Sequence, residues 1–447
     1  MQRSLFSAVS GLHNHQIRMD VIGNNISNIN TTAFKAGRAT FEESFSQILR
    51  GASRPIDGQG GVNPIEVGLG MQLSSIDTIF TQGNLDITGV VTDMAILGES
   101  FFVVAKGDQT YYTRAGNFQR DADGRLVFPA NGFVVQGRMA TDGVLGNTLT
   151  DIVIPKGMSS PARATTLATI TGNLDASAPV IVAADPANPT AAEIADVQNE
   201  RAVQQMTIGV FDSLGQRHEL AIIAWKTSPT QWNFQIDPSG LSYDPTQPFS
   251  FGPGTLSSPA APATPWQFTF NADGTIDTAA SNIPQITFTP LGNGSPVSIT
   301  LDVGSGSAGL TSHVAGSSAV LRGQDGYSAG ILENITIDQY GVIVGSFSNG
   351  VSQTLAQVAL ADFNNPEGLA RAGDNMYTTS ANSGTPIIGY SGRETSSLIA
   401  SRALEMSNVD LAKEFTNMII TQRGFQANGK MITTSDEMLQ ELVNLRR

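Results

Sequence analysis

The chain contains no cysteine. That absence excludes disulfides, thiolate-bound zinc, iron–sulfur clusters and a cysteine nucleophile. No apolar run approaches the roughly 18 residues that a membrane-spanning helix needs. Charge is scarce and lopsided: 14 % of residues are charged, 25 basic against 39 acidic, for a net charge of −14. So few basic groups argue against a nucleic-acid binder, which needs a cationic face to displace counterions from phosphates. The charge is also too sparse for a long coiled coil standing in solvent. Conversely, 40 % hydrophobic residues are too many for a disordered chain. The opening Met1-Gln2-Arg3-Ser4-Leu5-Phe6 has no continuous apolar stretch and no small-residue cleavage site, so no Sec-type signal peptide is expected.

The 447 residues suffice for two to four domains, and 46 Gly with 21 Pro suit many short strands and turns. The two ends differ in kind from the middle. Proline is absent from Ser4 to Asn30, where Leu5, Val9, Leu12, Met19 and Ile26 fall on one stripe, with Gln16 in the remaining slot. This predicts a helix with an a/d-like seam. At the other end Leu404, Leu411, Met418, Phe425, Ile432 and Leu439 stand seven apart. Phe415 and Val443 fill some alternate slots, and no proline follows Pro386. A helix from Ser401 to Arg446 would span roughly 67 Å. The two helices are expected to pair, and the surplus stripe of the longer one then needs a second copy of the chain.

Between the ends, Phe41, Phe45, Ile48 and Leu49 predict a short helix, followed by a glycine-rich connector from Gly51 to Gly70. From about Ile76 the pattern alternates as in strands. Ile96 to Val104 reads as a strand pair with a tight break. Phe118–Phe128, Phe268–Ile276 and Ile335–Ile343 read as hairpins with glycine in the turn. Gln205–Lys226 and Gln231–Ile236 read as strands, and Asp185–Thr190 and Pro248–Pro265 as exposed loops. Trp225, Trp232 and Trp266 are assigned to a small β core. The fold class is therefore mainly β with long terminal α-helices, in an elongated multidomain chain. The expected parts are a helical, coiled-coil core domain (1–75 and 395–447), a first β domain (76–155 and 323–394) and an inserted outer β domain (156–322).

Chemistry-bearing motifs are weak. Asp121-x-Asp123-Gly124 opens like a calcium loop, but Gly132 stands where a further acidic ligand belongs. His13 and His15 lie two apart on a helix and cannot share a metal, while His218 and His313 stand alone. The Gly304–Gly309 run lacks the strand-to-helix context of a nucleophile elbow. No carboxylate pair is singled out by spacing, and there is no phosphate-binding loop or dinucleotide fingerprint. No catalytic residue, metal or cofactor is assigned, and an enzyme is not expected.

One segment is distinctive: Asp20-Val21-Ile22-Gly23-Asn24-Asn25-Ile26-Ser27-Asn28-Ile29-Asn30-Thr31-Thr32-Ala33-Phe34-Lys35-Ala36. It resembles the N-terminal signature of the bacterial flagellar rod and hook family, carried chiefly by Asn24, Asn25, Asn28, Thr32, Phe34 and Lys35. The C-terminal run Ser407-Asn408-Val409-Asp410-Leu411, with Glu414-Phe415, Gln422-Arg423, Phe425-Gln426-Ala427-Asn428 and Leu442–Arg446, is similar to the family's other signature. The chain length, the large insertion and the segments Phe211–Gly215, Gly326–Gly330 and Leu360–Leu369 resemble the hook branch. A distal-rod-like axial protein is the alternative, and a secreted β-rich adhesin or glycan-processing enzyme the reading from another class.

The resemblance implies a subunit of a curved, hollow helical tube, a flexible joint carrying torque from rod to filament. It implies these partners: further copies of the chain, a rod protein at the proximal end, a hook–filament junction protein at the distal end, a hook cap protein during growth and the type III export apparatus, with neither nucleic acid nor membrane insertion. It places the protein outside the cell on the basal body. The cysteine-derived crosslink to lysine found in some relatives has no cysteine to start from here. The candidate packing residues are those of the two seams. The Asn cluster is expected to stop the first helix, and Gln422, Gln426 and Asn428 are candidates for lining the channel.

Overall fold

The computed structural model describes residues 2–52, 54, 60–181, 202–237, 240–241, 249–251, 255–256, 266–283, 285–291 and 295–444. The Asp185–Thr190 loop and most of Pro248–Pro265 lie outside them. Within the latter, Phe249–Phe251 and Thr255–Leu256 pair as a short hairpin, so those residues are strand rather than loop. No helix among the described residues is long and apolar enough to cross a membrane.

The chain divides into two compact units. The first holds Met1–Lys156, Asn334–Gly345 and Gln353–Arg447; the second holds Gly157–Glu333 and Ser346–Ser352.

In the first unit, helix α1 runs from Gln2 to Ser27 and helix α2 from Leu411 to Asn444. The second begins ten residues later than the periodicity predicts. Asp410 caps it, its Oδ1 accepting from the amides of Ala412 at 2.9 Å and Lys413 at 3.3 Å. Leu404 therefore belongs to no helix. It lies in the strand Ala403–Glu405, which pairs with Leu85–Ile87. The 34 residues of α2 span about 51 Å.

The short helix expected around Phe41–Leu49 is instead two ribbons. Strand β1 (Gly37–Glu43) would have to compete with helix formation, but Asn25 grips both backbone groups of Gly37 and the whole strand pairs with β4 (Met71–Thr78). Strand β2 (Ser46–Arg50) pairs with β3 (Ile65–Gly68). The glycine-rich stretch is thus partly the return limb of a hairpin, not an extended connector. Tertiary pairing overrode a helical spacing that rested on four side chains.

Strand β5 (Met94–Leu97) and the strand Phe101–Lys106 do not pair with each other, correcting the expected strand pair. Gly98, at φ +133°, separates them. β5 pairs with Leu398–Ser401, whereas Phe101–Lys106 pairs with Gln109–Thr113, Phe133–Thr141 and Leu360–Asp362. Phe101, Val103, Tyr112, Ala361 and Tyr377 form the core beneath, with Phe80 and Phe363 against it. The Gly124 and Gly341 turns adopt φ +84° and +71°. Asp121 uses its Oδ1 to accept from the amides of Asp123 and Arg125, which makes the Asp-x-Asp-Gly segment a self-satisfied turn.

In the second unit Val203–Phe211, Arg217–Ser228, Gln231–Asp237 and Gln267–Thr269 form an antiparallel meander. A seven-stranded sheet contains Leu167–Asn173 and Val297–Asp302. One core joins them, with Trp232, Trp266, Phe234 and Phe268 inside it. Phe234 and Phe268 stack at 4.3 Å. Trp225 packs in a smaller cluster with Ile181 and Ala202.

Candidate assembly surface and the junction of the chain ends

The two terminal helices pack against each other. Gly11 faces Asn428 and His15 faces Gly424, so the sequence runs in opposite directions along the pair. The covered face of α2 is mixed: Thr421 and Ser435 are buried, and Glu414, Asn417, Met418, Gly424, Asn428, Gly429 and Ile432 are half-buried. On α1 the buried positions are Ala8, Gly11, Asn14, Ile22 and Asn25.

The predicted seam residues are covered in part. Phe415, Phe425, Leu411 and Leu439 are 49, 45, 39 and 37 % exposed. Val9 is exposed as well, while Leu5, Leu12, Met19, Ile26, Met418 and Ile432 are half-buried. Met418 and Ile432 of the row that repeats every seven residues thus share the covered side with smaller side chains, while Leu411, Phe425 and Leu439 stay exposed. Gly424 and Asn428 meet His15 and Gly11 where the two helices come close. Ile419, Ile420, Met431, Met438, Leu442 and Val443 extend the exposed apolar face. Of the channel candidates, Gln422 and Gln426 are exposed. Asn428 is half-buried, its amide 2.6 Å from where a Cβ on Gly11 would stand.

The first helix ends as its asparagines direct. Asn28 donates through Nδ2 to the Asn24 carbonyl at 2.9 Å, and its Oδ1 accepts from the Thr31 hydroxyl at 3.0 Å. The residue of this turn with left-handed backbone is Ala33, at φ +57°. Asn25 is buried and reads the Gly37 backbone from both sides, donating to O at 2.8 Å and accepting from N at 2.9 Å. Asn375 Nδ2 donates to the Thr32 carbonyl at 2.9 Å. Arg371 donates to the Lys35 carbonyl at 3.1 Å and lies over the Phe34 ring.

Lys35 is fully buried. Its Nζ donates to Glu405 Oε1 at 2.7 Å and to the Thr81 carbonyl at 2.8 Å. The same Oε1 accepts from the Gly83 amide at 2.9 Å, and the Glu405 carbonyl accepts from the Ala33 amide at 2.8 Å. Arg114, also buried, places Nη1 3.6 Å from Glu405 Oε2 and donates to the Gly98 carbonyl at 2.7 Å. Burial lowers the Lys35 pKa most, against the opposing pull of Glu405, and the Arg114 charge lowers it further. Beside them Asn408 Oδ1 accepts from the Ala36 amide at 2.8 Å while its Nδ2 donates to the Ile79 carbonyl at 2.8 Å.

Sequence reasoning singled out Lys35 but not Glu405, Arg114, Arg371 or Asn375. A lysine inside Ala33-Phe34-Lys35-Ala36 with no acid nearby called for a distant carboxylate. The chain offers 39 acidic residues, and only folding chooses among them.

Two signatures at opposite chain ends, knitted into one junction that roots a helix pair, define a flagellar axial protein. Family models agree along most of the chain: flagella basal body rod protein (residues 5–35), flagellar hook protein FlgE/F/G D1 domain (95–171), flagellar basal body protein FlaE D2 domain (173–327) and flagellar basal body rod FlgEFG protein C-terminal (400–445). The chain is 43 % identical to the flagellar hook protein FlgE of Borreliella burgdorferi and to that of Treponema pallidum, each over all of both chains. It is 34 % identical to the FlgE of Escherichia coli, covering 98 % of this chain and 99 % of that protein. The crystal structure of Helicobacter pylori flagellar hook protein FlgE2 matches with a TM-score of 0.50 at 19 % identity, over 72 % of this chain and 100 % of that one, a likeness of fold. The chain belongs to the flagellar hook protein family and is a structural subunit of the hook.

Proposed function

We propose that the α1–α2 pair builds the inner core of a homopolymer, in which the outward apolar face of α2 is covered by neighbouring copies. The observation that carries this is the apolar surface that α2 leaves uncovered although α1 packs on it: Phe415, Ile419, Ile420, Phe425, Met431 and Val443 are among the exposed side chains. Covering a Leu or Phe contributes about 1.5–3 kcal/mol, so six to ten such side chains per subunit would hold a tube against torque. The β2–β3 hairpin adds to the uncovered surface, with Phe45 73 % and Ile48 62 % exposed.

In this reading the polymer is a curved, hollow tube acting as a universal joint. The segments 1–75 and 395–447 form its inner layer, 76–155 and 323–394 the next, and 156–322 the outer one. Leu5, Val9, Leu12, Met19, Ile26, Leu411, Phe415, Met418, Phe425, Ile432 and Leu439 pack within and between subunits. Gln422 and Gln426 line the channel. The partners are the rod protein, the hook–filament junction protein, the hook cap and the type III export apparatus, with export needing no cleaved signal peptide. Phe415→Ser with Phe425→Ser tests the reading. The free chain keeps its melting temperature while hook formation falls more than tenfold; hooks of normal number would refute it.

A further inference from the structure

We propose that Lys35 and Glu405 are positioning residues for assembly: their buried pair fixes the direction in which the two terminal helices leave the β-sheet. This deepens the polymer reading above. Neither side chain can touch a neighbouring subunit, because both are completely buried. Each instead stands at the root of one helix. Lys35 lies eight residues beyond the end of α1, and Glu405 six residues before the start of α2.

The pair is directional. Glu405 Oε1 holds both the Lys35 ammonium and the Gly83 amide, while Lys35 also reaches the Thr81 carbonyl. The Glu405 main chain meanwhile holds Ala33. Three segments far apart in sequence, 33–35, 81–83 and the strand that ends at Glu405, thus meet at one residue. Ala33 and Arg402, which flank the junction, both carry side chains on left-handed backbone, φ +57° and +59°. Such conformations persist where the surroundings over-determine them.

Buried ion pairs are weak sources of stability, because desolvation offsets their attraction. Apolar side chains of similar volume in place of Lys35, Arg114 and Glu405 together would fill the space as well. What they would not supply is the set of fixed hydrogen-bond directions. Lys35 and Glu405 therefore serve geometry rather than stability.

The test uses the full-length chain in three forms: Glu405→Gln, Lys35→Met, and a triple variant, Lys35→Met with Arg114→Met and Glu405→Leu, which leaves no charge of the buried cluster without its partner. Amide exchange at Ala33 and Gly83, melting temperature, and the number and curvature of hooks in cells carrying only the variant are measured together. Each single variant is expected to lose at least tenfold exchange protection at Ala33 and Gly83, with protection of Phe101–Lys106 unchanged. The triple variant is expected to recover its melting temperature and still give at least tenfold fewer hooks, or hooks of altered curvature. The proposal is overturned if the triple variant forms hooks of parental number and shape, or if the single variants keep both protection and hooks. A triple variant that does not fold also overturns it, since the charged cluster would then be a stability element. Because exchange is read on the free chain, its failure is distinguishable from failure of the polymer reading.

Discussion

Gly11 and Asn428 meet across the paired terminal helices so closely that a methyl group on Gly11 would stand 2.6 Å from the Asn428 amide nitrogen. The obstructing atom is the end of a side chain that can swing aside. Gly11→Ala should therefore be tolerated, and its higher helix propensity offsets part of the crowding. Gly11→Leu has no such escape and should cost about 1–3 kcal/mol through overpacking. Hook counts by electron microscopy check both: near parental for Ala, strongly reduced for Leu.

Asn25 holds Gly37 by one donated and one accepted hydrogen bond. Asn25→Ala leaves a backbone donor and a backbone acceptor without their partner and should destabilise the first unit by about 2 kcal/mol. Asn25→Asp should be no better, because a carboxylate cannot donate to the Gly37 carbonyl. Urea midpoints of the two variants provide the comparison, and a stable Asp variant would contradict the assignment.

Three of the seven tyrosines, Tyr112, Tyr377 and Tyr390, have phenol pKa values raised chiefly by burial. In the unfolded chain the same phenols ionise near pH 10. The folded state therefore holds protons that the unfolded state releases. The stabilisation is full below pH 10 and is lost as pH rises through the folded-state values. Absorbance titration should show Tyr112, Tyr377 and Tyr390 ionising at higher pH in the native protein than in the unfolded chain, and the melting temperature should fall above pH 10. Ionisation of these three phenols at the same pH in both states would be inconsistent with this packing.

Much of the architecture is written locally. Asp-Gly and Tyr-Gly turns announce the hairpins at Gly124 and Gly341 because only a few residues accept positive φ there. Proline-free apolar periodicity announces both helices, and Asp410 explains why one starts later than its stripe. What periodicity does not encode is which molecule covers a stripe. Of the row that repeats every seven residues, Met418 and Ile432 are half-buried and Leu411, Phe425 and Leu439 stay exposed, while Thr421 and Ser435 take the most buried positions of the helix. The β1–β4 and β2–β3 ribbons were hidden for a related reason: Phe41, Phe45, Ile48 and Leu49 have helical spacing, and only the distant strands at 65–68 and 71–78 reveal their pairing. Glu405 was illegible because its partner Lys35 stands 370 residues away.

The central claim is that assembly covers the outward face of α2. Met431 and Met438 on that face are 51 and 48 % exposed, whereas Met94 is fully buried in the β-sheet. Peroxide oxidation of the free chain and of intact hooks, followed residue by residue by mass spectrometry, reads that cover directly. Met431 and Met438 should oxidise readily in the free chain and at least tenfold more slowly in hooks, with Met94 protected in both. Equal oxidation rates at Met431 and Met438 in the two forms would contradict the account.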